Sequence, residues 1–129
     1  MDKKKVDKKI WLKKPEKHDY PAAKDYLELL YNKKLVKCII EKLRSAKMVN
    51  KKAKDILRAS KLPLLTQDNV HIKNNMDKVA NGEKLSPVLL VRGNQVSYDD
   101  SDLIIADGYH RVCAIYYLSE DFNIPCKLV

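Results

Sequence analysis

The stretch Leu103-Ile104-Ile105-Ala106-Asp107-Gly108-Tyr109-His110-Arg111-Val112-Cys113-Ala114-Ile115-Tyr116-Tyr117-Leu118 decides how this chain is read. Leu103 to Ala106 is a continuous apolar run, as expected of a strand buried on both faces. Asp107-Gly108 breaks it. Val112, Ala114, Ile115, Tyr116 and Leu118 then recur at helical spacing. Strand, tight turn and helix in that order present backbone N–H groups at the helix start, where an anion can sit. Gly108 lets the backbone approach a ligand closely. Arg111 falls in the first helical turn, where its guanidinium can close on a phosphate. It is expected near the surface, so that folding survives its removal. Asp107 is placed to cap the helix, or to hold a metal or a hydroxyl. His110 has the pKa range of a general base or a phosphate donor. A plainer reading needs no ligand: Asp107 caps, Gly108 turns, and His110 and Arg111 face solvent.

Working outward, Ser86-Pro87-Val88-Leu89-Leu90-Val91 reads as a second doubly buried strand. Ile124-Pro125-Cys126-Lys127-Leu128-Val129 reads as a third, with Pro125 at its start or on a sheet edge. Gly93 to Ser101 is polar and turn-rich, a loop or hairpin. A helix is expected from Asn69 to Asn81, closed by Gly82. Before it the signals are helical. Asp19-Tyr20-Pro21 opens a stripe of Ala22, Ala23, Tyr26, Leu27, Leu29 and Leu30. Leu35, Val36, Ile39, Ile40 and Leu43 form a second stripe, ending near Ala46. Asn50 is the expected N-cap of a third helix carrying Ala53, Ile56 and Leu57. Residues 1–18 are expected as a mobile basic segment with Trp11 as its anchor. The chain is therefore read as one domain over 19–129, with a helical extension at 19–61 and a core at 62–129.

Three blocks of that core, 82–91, 103–114 and 124–129, together resemble the ParB N-terminal and sulfiredoxin superfamily. The shared pattern is a Pro-Val-Leu-Leu-Val strand at 87–91, the Asp107-Gly108-Tyr109-His110-Arg111 turn, and the closing Ile124-Pro125-Cys126 strand. The resemblance implies an α/β (α+β) fold, with a small mixed sheet and helices. It also implies a nucleotide-phosphate site at Gly108, Tyr109, His110 and Arg111, with His110 and Asp107 as catalytic candidates and Mg²⁺ accompanying the nucleotide. Members of that superfamily bind or hydrolyse nucleotides, or transfer a phosphoryl group. Sulfiredoxins carry a reactive Cys where this chain has Tyr109, so repair of a sulfinic acid is not expected here. The helix-turn-helix domain that follows in partition proteins has no counterpart in 129 residues.

Charge adds a second expectation. The chain carries a net +9, but residues 1–61 hold 20 Lys and Arg against 8 Asp and Glu. Residues 62–129 hold 6 against 9. A basic half attracts polyanions by counterion release; it also serves as a solvated face. Lys51, Lys52, Lys54 and Arg58 are the candidates for a nucleic-acid contact, and Lys54 and Arg58 are spaced to share one helix face. The partners expected are a nucleotide or phosphorylated small molecule, then nucleic acid. No apolar run approaches the roughly 18 residues of a membrane span, and no signal peptide opens the chain. Three cysteines without CxxC spacing argue against disulfides or a zinc site, consistent with a reducing, cytoplasmic setting. Cys38, Cys113 and Cys126 are read as inert apolar residues. His18 and His71 lie outside any constellation, and no metal-ligand motif is present. Asp99, Asp100 and Asp102 are read as a solvated acidic loop.

Overall fold

A computed structural model describes residues 10–96 and 101–129. Among the described residues, five α-helices and four strands follow one another along the chain. They are α1 (Asp19–Glu28), α2 (Lys33–Ser45), β1 (Met48–Lys52), α3 (Ala53–Ser60), α4 (Val70–Ala80), β2 (Val88–Arg92), β3 (Leu103–Asp107), α5 (Tyr109–Leu118) and β4 (Asn123–Leu128). The strands form one mixed sheet in the order β1-β4-β2-β3. β4 runs parallel to β2, and the outer pairs are antiparallel. The expected mixed α/β architecture is therefore the one found.

β2 explains why its sequence is apolar throughout. Val88 and Leu90 join Ile56, Ile72, Val112 and Ile115 on one face. Leu89 and Val91 join Leu27, Val36, Ile39 and Leu43 on the other. Alternate side chains leave a strand on opposite sides, so a strand between two helical layers must be apolar at every position. α1 and α2 cover one side of the sheet; α3, α4 and α5 cover the other.

The helix ends follow their local signals. The Asn32 side chain accepts from the N–H of Leu35 at the start of α2. Asn69 accepts from His71 and Ile72 at the start of α4. Gly82, at φ +77°, closes α4 with the N–H of Glu83 on the Lys78 carbonyl and its own N–H on Val79, the bond pair of a Schellman ending.

Three expectations are corrected. Asn50 does not cap a helix: Met48–Lys52 is strand β1, with Asn50 opposite Pro125. The strand is short, polar and exposed, so its periodicity is invisible and pairing with β4 decides it. Pro125 is not on a sheet edge, since β4 is an inner strand; but β2 begins opposite Cys126, so Pro125 meets a neighbour on the β1 side alone. The segment from Ile10 to His18 is not a detached tail. Ile10 and Trp11 are 4% and 5% exposed and belong to the larger core. Leu85 bonds through its N–H to the Ile10 carbonyl, and its own carbonyl accepts from Leu12. Residues 1–9 of the expected mobile segment lie outside the described residues.

Because Trp11 is the only tryptophan, its burial can be checked directly. Its emission is expected to be blue-shifted in the native protein and to move red in a single unfolding transition. Trp11→Ala is expected to cost about 3–5 kcal/mol in a urea titration. A loss below about 1 kcal/mol would show that the segment does not dock.

Candidate functional site

The turn after β3 is built around a bulge. Leu89 pairs with Asp107 and Leu90 with Ile105, so Ala106 is the extra residue on β3. A bulge at a strand end re-aims the next side chain, here Asp107. Gly108 follows at φ +108°. A Cβ at this position would lie 2.5 Å from Val88 Cγ1 and 3.0 Å from Arg111 Nη2. Glycine is thus required twice, for the left-handed backbone and for the close approach. It starts α5 without a side-chain cap. By contrast, α2 and α4 are capped by asparagines, and the first N–H groups of α3 donate to the carbonyls of Phe122 and Glu120.

Arg111 does not project toward solvent. Its side chain is 13% exposed. Nη2 donates to Asp107 Oδ2 at 2.6 Å, and Nη1 donates to the Ser86 carbonyl at 2.6 Å. Asp19 Oδ2 lies 4.0 Å from Nη1. Asp19 is itself buried and accepts from the Ser86 hydroxyl and the Glu16 N–H. The guanidinium therefore joins α5 to the end of β3, the approach to β2 and the start of α1. The expectation that Arg111 stands near the surface, removable without cost to folding, is corrected: its guanidinium is an internal clasp that also lines a cleft. The signal missed was the pairing of Asp107 with Arg111 at i, i+4. It becomes visible only once Asp107 is known to end a strand beside the helix. Burial, and then the nearby Asp19, push the Asp107 carboxyl above its ordinary value, against the opposing pull of Arg111.

Asp107, Gly108, His110 and Arg111 line a cleft of about 670 Å³. His18 and His71 line it too, so all three histidines of the chain meet there. Sequence spacing gave no hint of this, because the three sit on the approach to α1, on α4 and on α5. The His71 and His110 rings are 4.7 Å apart and tilted. Desolvation, then the charge of His71, hold His110 below the ordinary imidazole value. Lys78 and Lys84 stand on the cleft wall. Glu16, His18 and Asp19 bring ligand atoms within 4.8 Å of one another, a grouping of metal-binding type that the sequence did not announce.

Other candidates are placed elsewhere. The Tyr109 hydroxyl donates to the Pro63 carbonyl at 2.5 Å, and that of Tyr117 to Leu65. The Tyr109 side chain thus pins the 62–65 linker and does not line the cleft. Cys113 is buried and its thiol is pushed up by desolvation. Cys126 is pushed to about 11 by burial. Cys38 is exposed on α2, not part of an apolar surface. Lys51 and Lys52 lie exposed on β1. Lys54 and Arg58 face away from the cleft and are paired with Asp121 at 2.9 Å and Asp55 at 3.0 Å. Asp102 pairs with Lys61 at 2.9 Å, while Asp99 and Asp100 lie outside the described residues.

Compared with known proteins, the chain matches no family model, no curated protein and no solved structure.

Two outcomes follow from this geometry. Arg111→Ala is expected to lower stability by about 3 kcal/mol, since it leaves Asp107 and Asp19 without their cation; the urea midpoint measures it. Arg111→Lys is expected to recover little, because an ammonium cannot hold the forked contacts. An Arg111→Ala midpoint equal to wild type would dissolve the clasp. The second outcome concerns pH. A lowered His110 pKa means that the unfolded chain binds the proton more readily. The associated stability is full above the ordinary value of 6.5 and drains as pH falls through the lower folded value. Wild type is therefore expected to lose melting temperature relative to His110→Gln between roughly pH 7 and 5. Parallel curves would show that His110 titrates freely.

Proposed function

We propose that the cleft binds a phosphate-bearing small molecule, a nucleotide foremost, and that His110 handles a proton there. One observation carries the reading: the uncapped start of α5 opens at Gly108 into a cleft where all three histidines converge. The first N–H groups of a helix favour an anion. Lys78 and Lys84 stand on the wall among the acids Glu16, Asp19, Asp77, Glu83 and Asp107, so a phosphate here calls for an accompanying cation. The resemblance of the Asp107-Gly108-Tyr109-His110-Arg111 turn to the ParB and sulfiredoxin pattern supports the same ligand class.

The roles divide differently from those of a simple clamp. Arg111 orients Asp107 and braces the turn; the α5 amides and His110 meet the phosphate. With its pKa held down, His110 is neutral near pH 7. It can donate through one ring nitrogen and accept a proton through the other. That suits a general base toward a hydroxyl or water attacking a phosphoryl group. The carboxylates of Glu16 and Asp19 offer the oxygens that Mg²⁺ prefers. When bound, such an ion offsets phosphate charge beside these acids. Phosphoryl transfer or hydrolysis is the reaction class that fits. The thiol chemistry of sulfiredoxins does not: Tyr109 is tied to Pro63 and Cys113 is buried.

Thermal shift tests the reading. At about a hundredfold excess over Kd, a nucleoside triphosphate with Mg²⁺ adds about 2.7 kcal/mol. That corresponds to a rise in Tm of roughly 5–10 °C. The matching nucleoside is expected to add nothing, and His110→Ala to abolish most of the shift. A nucleoside as effective as its triphosphate, or no shift with any nucleotide, would refute a phosphate site.

A further inference from the structure

A second concavity, of about 660 Å³, runs along the segment before α1. Among the described residues its cations are Lys13, Lys14, Lys17, Arg44 and Lys127, and its one acid is Glu16. Its floor is Leu12, Pro15 and Tyr20. Pro15 and Tyr20 are buried, whereas Lys13, Lys14 and Lys17 are exposed. The groove is firmly built. Arg44 lies over the Tyr20 ring at 4.5 Å, and Lys127 Nζ donates to the Arg44 carbonyl at 2.7 Å. The Ile10 and Leu12 bonds to Leu85 hold the segment against the core.

These cations differ from the basic residues on α3. Lys54 and Arg58 are each neutralised by an aspartate. Lys13, Lys14, Lys17 and Arg44 make no ion pair among the described residues. Like charges gathered in a groove without counter-charges raise the local potential for an anionic partner. The shape narrows the class. A membrane surface calls for a helix with an exposed apolar face; here the apolar residues are recessed and the charges form the rim. An exposed guanidinium plane at Arg44, backed by Tyr20 and set among lysines, matches a base stacked beside its phosphates.

We infer that this groove binds single-stranded nucleic acid, with Lys13, Lys14 and Lys17 on the phosphates and the exposed Arg44 guanidinium, backed by the Tyr20 ring, against a base. The inference stands independently of the cleft: the groove needs no ligand bound at α5. Glu16 borders both concavities, so a strand in the groove would pass the cleft mouth.

The test uses the full chain and a fluorescein-labelled oligothymidylate, read by anisotropy. Lys14→Glu/Lys17→Glu is compared with Lys51→Glu/Lys52→Glu, which makes the same change in net charge on β1. The groove variant is expected to lose roughly tenfold or more in affinity near 50 mM salt, with a log K against log salt slope shallower by about 0.7 per phosphate contact removed. The β1 variant is expected to stay within about threefold. Equal losses in both variants would reduce the effect to net charge and overturn the inference. So would an absence of salt-sensitive binding. Displacement of the oligonucleotide by polyglutamate, or by phosphatidylserine vesicles at matched charge, would reassign the groove to an acidic protein or a membrane. All four substituted residues are exposed, and unchanged melting temperatures confirm that the variants are folded.

Discussion

The Arg111 guanidinium is the contact on which the rest of the architecture leans. It reaches Asp107 at the end of β3 and the Ser86 carbonyl before β2, and it approaches Asp19 at the start of α1. Three segments far apart in sequence meet on one planar cation. Most of its charge is withdrawn from water, so each acceptor matters more than it would on the surface. The same contacts fix the floor of the cleft. Only glycine fits at Gly108, because the backbone is left-handed there and the space a Cβ would need is filled by Val88 and by Arg111 itself.

This clasp changes how the turn relates to function. An arginine in the first turn of a helix invites assignment to a phosphate. Here Nη1 and Nη2 bond to Ser86 and Asp107, so the side chain braces the turn. Asp107 and Arg111 hold the turn and line the cleft together with Gly108 and His110. The His71 and His110 rings stand close together in the cleft, and desolvation, then His71, hold His110 below the ordinary imidazole value.

The basic half of the molecule resolves into two kinds of surface. On α3 and β1 the lysines are paired, or spread along an exposed edge. Before α1 they gather around a groove in which Arg44 covers the buried Tyr20 ring. Net charge alone does not separate these cases, since a paired and an unpaired lysine count equally in a composition. The distinction rests on where the acids lie: Asp55 and Asp121 stand beside α3, and among the described residues Glu16 alone of the acids borders the groove.

Much of the fold was legible in order along the chain. Unbroken apolar runs announced β2 and β3, because a strand between two helical layers has no polar side. Asn69 and Gly82 marked helix ends, because capping bonds span only a few residues. The turn at Asp107-Gly108 was legible for the same local reason. What tertiary structure decided was everything set by convergence. β1 carries no periodic signal and exists through its pairing with β4. Trp11 becomes core because Leu85 offers a backbone partner. His18, His71 and His110 share a cleft, and Arg111 turns inward, because Asp19, Ser86 and Asp107 are brought around it. Local bonds write themselves into neighbouring residues, whereas contacts between segments tens of residues apart leave no mark on spacing or composition.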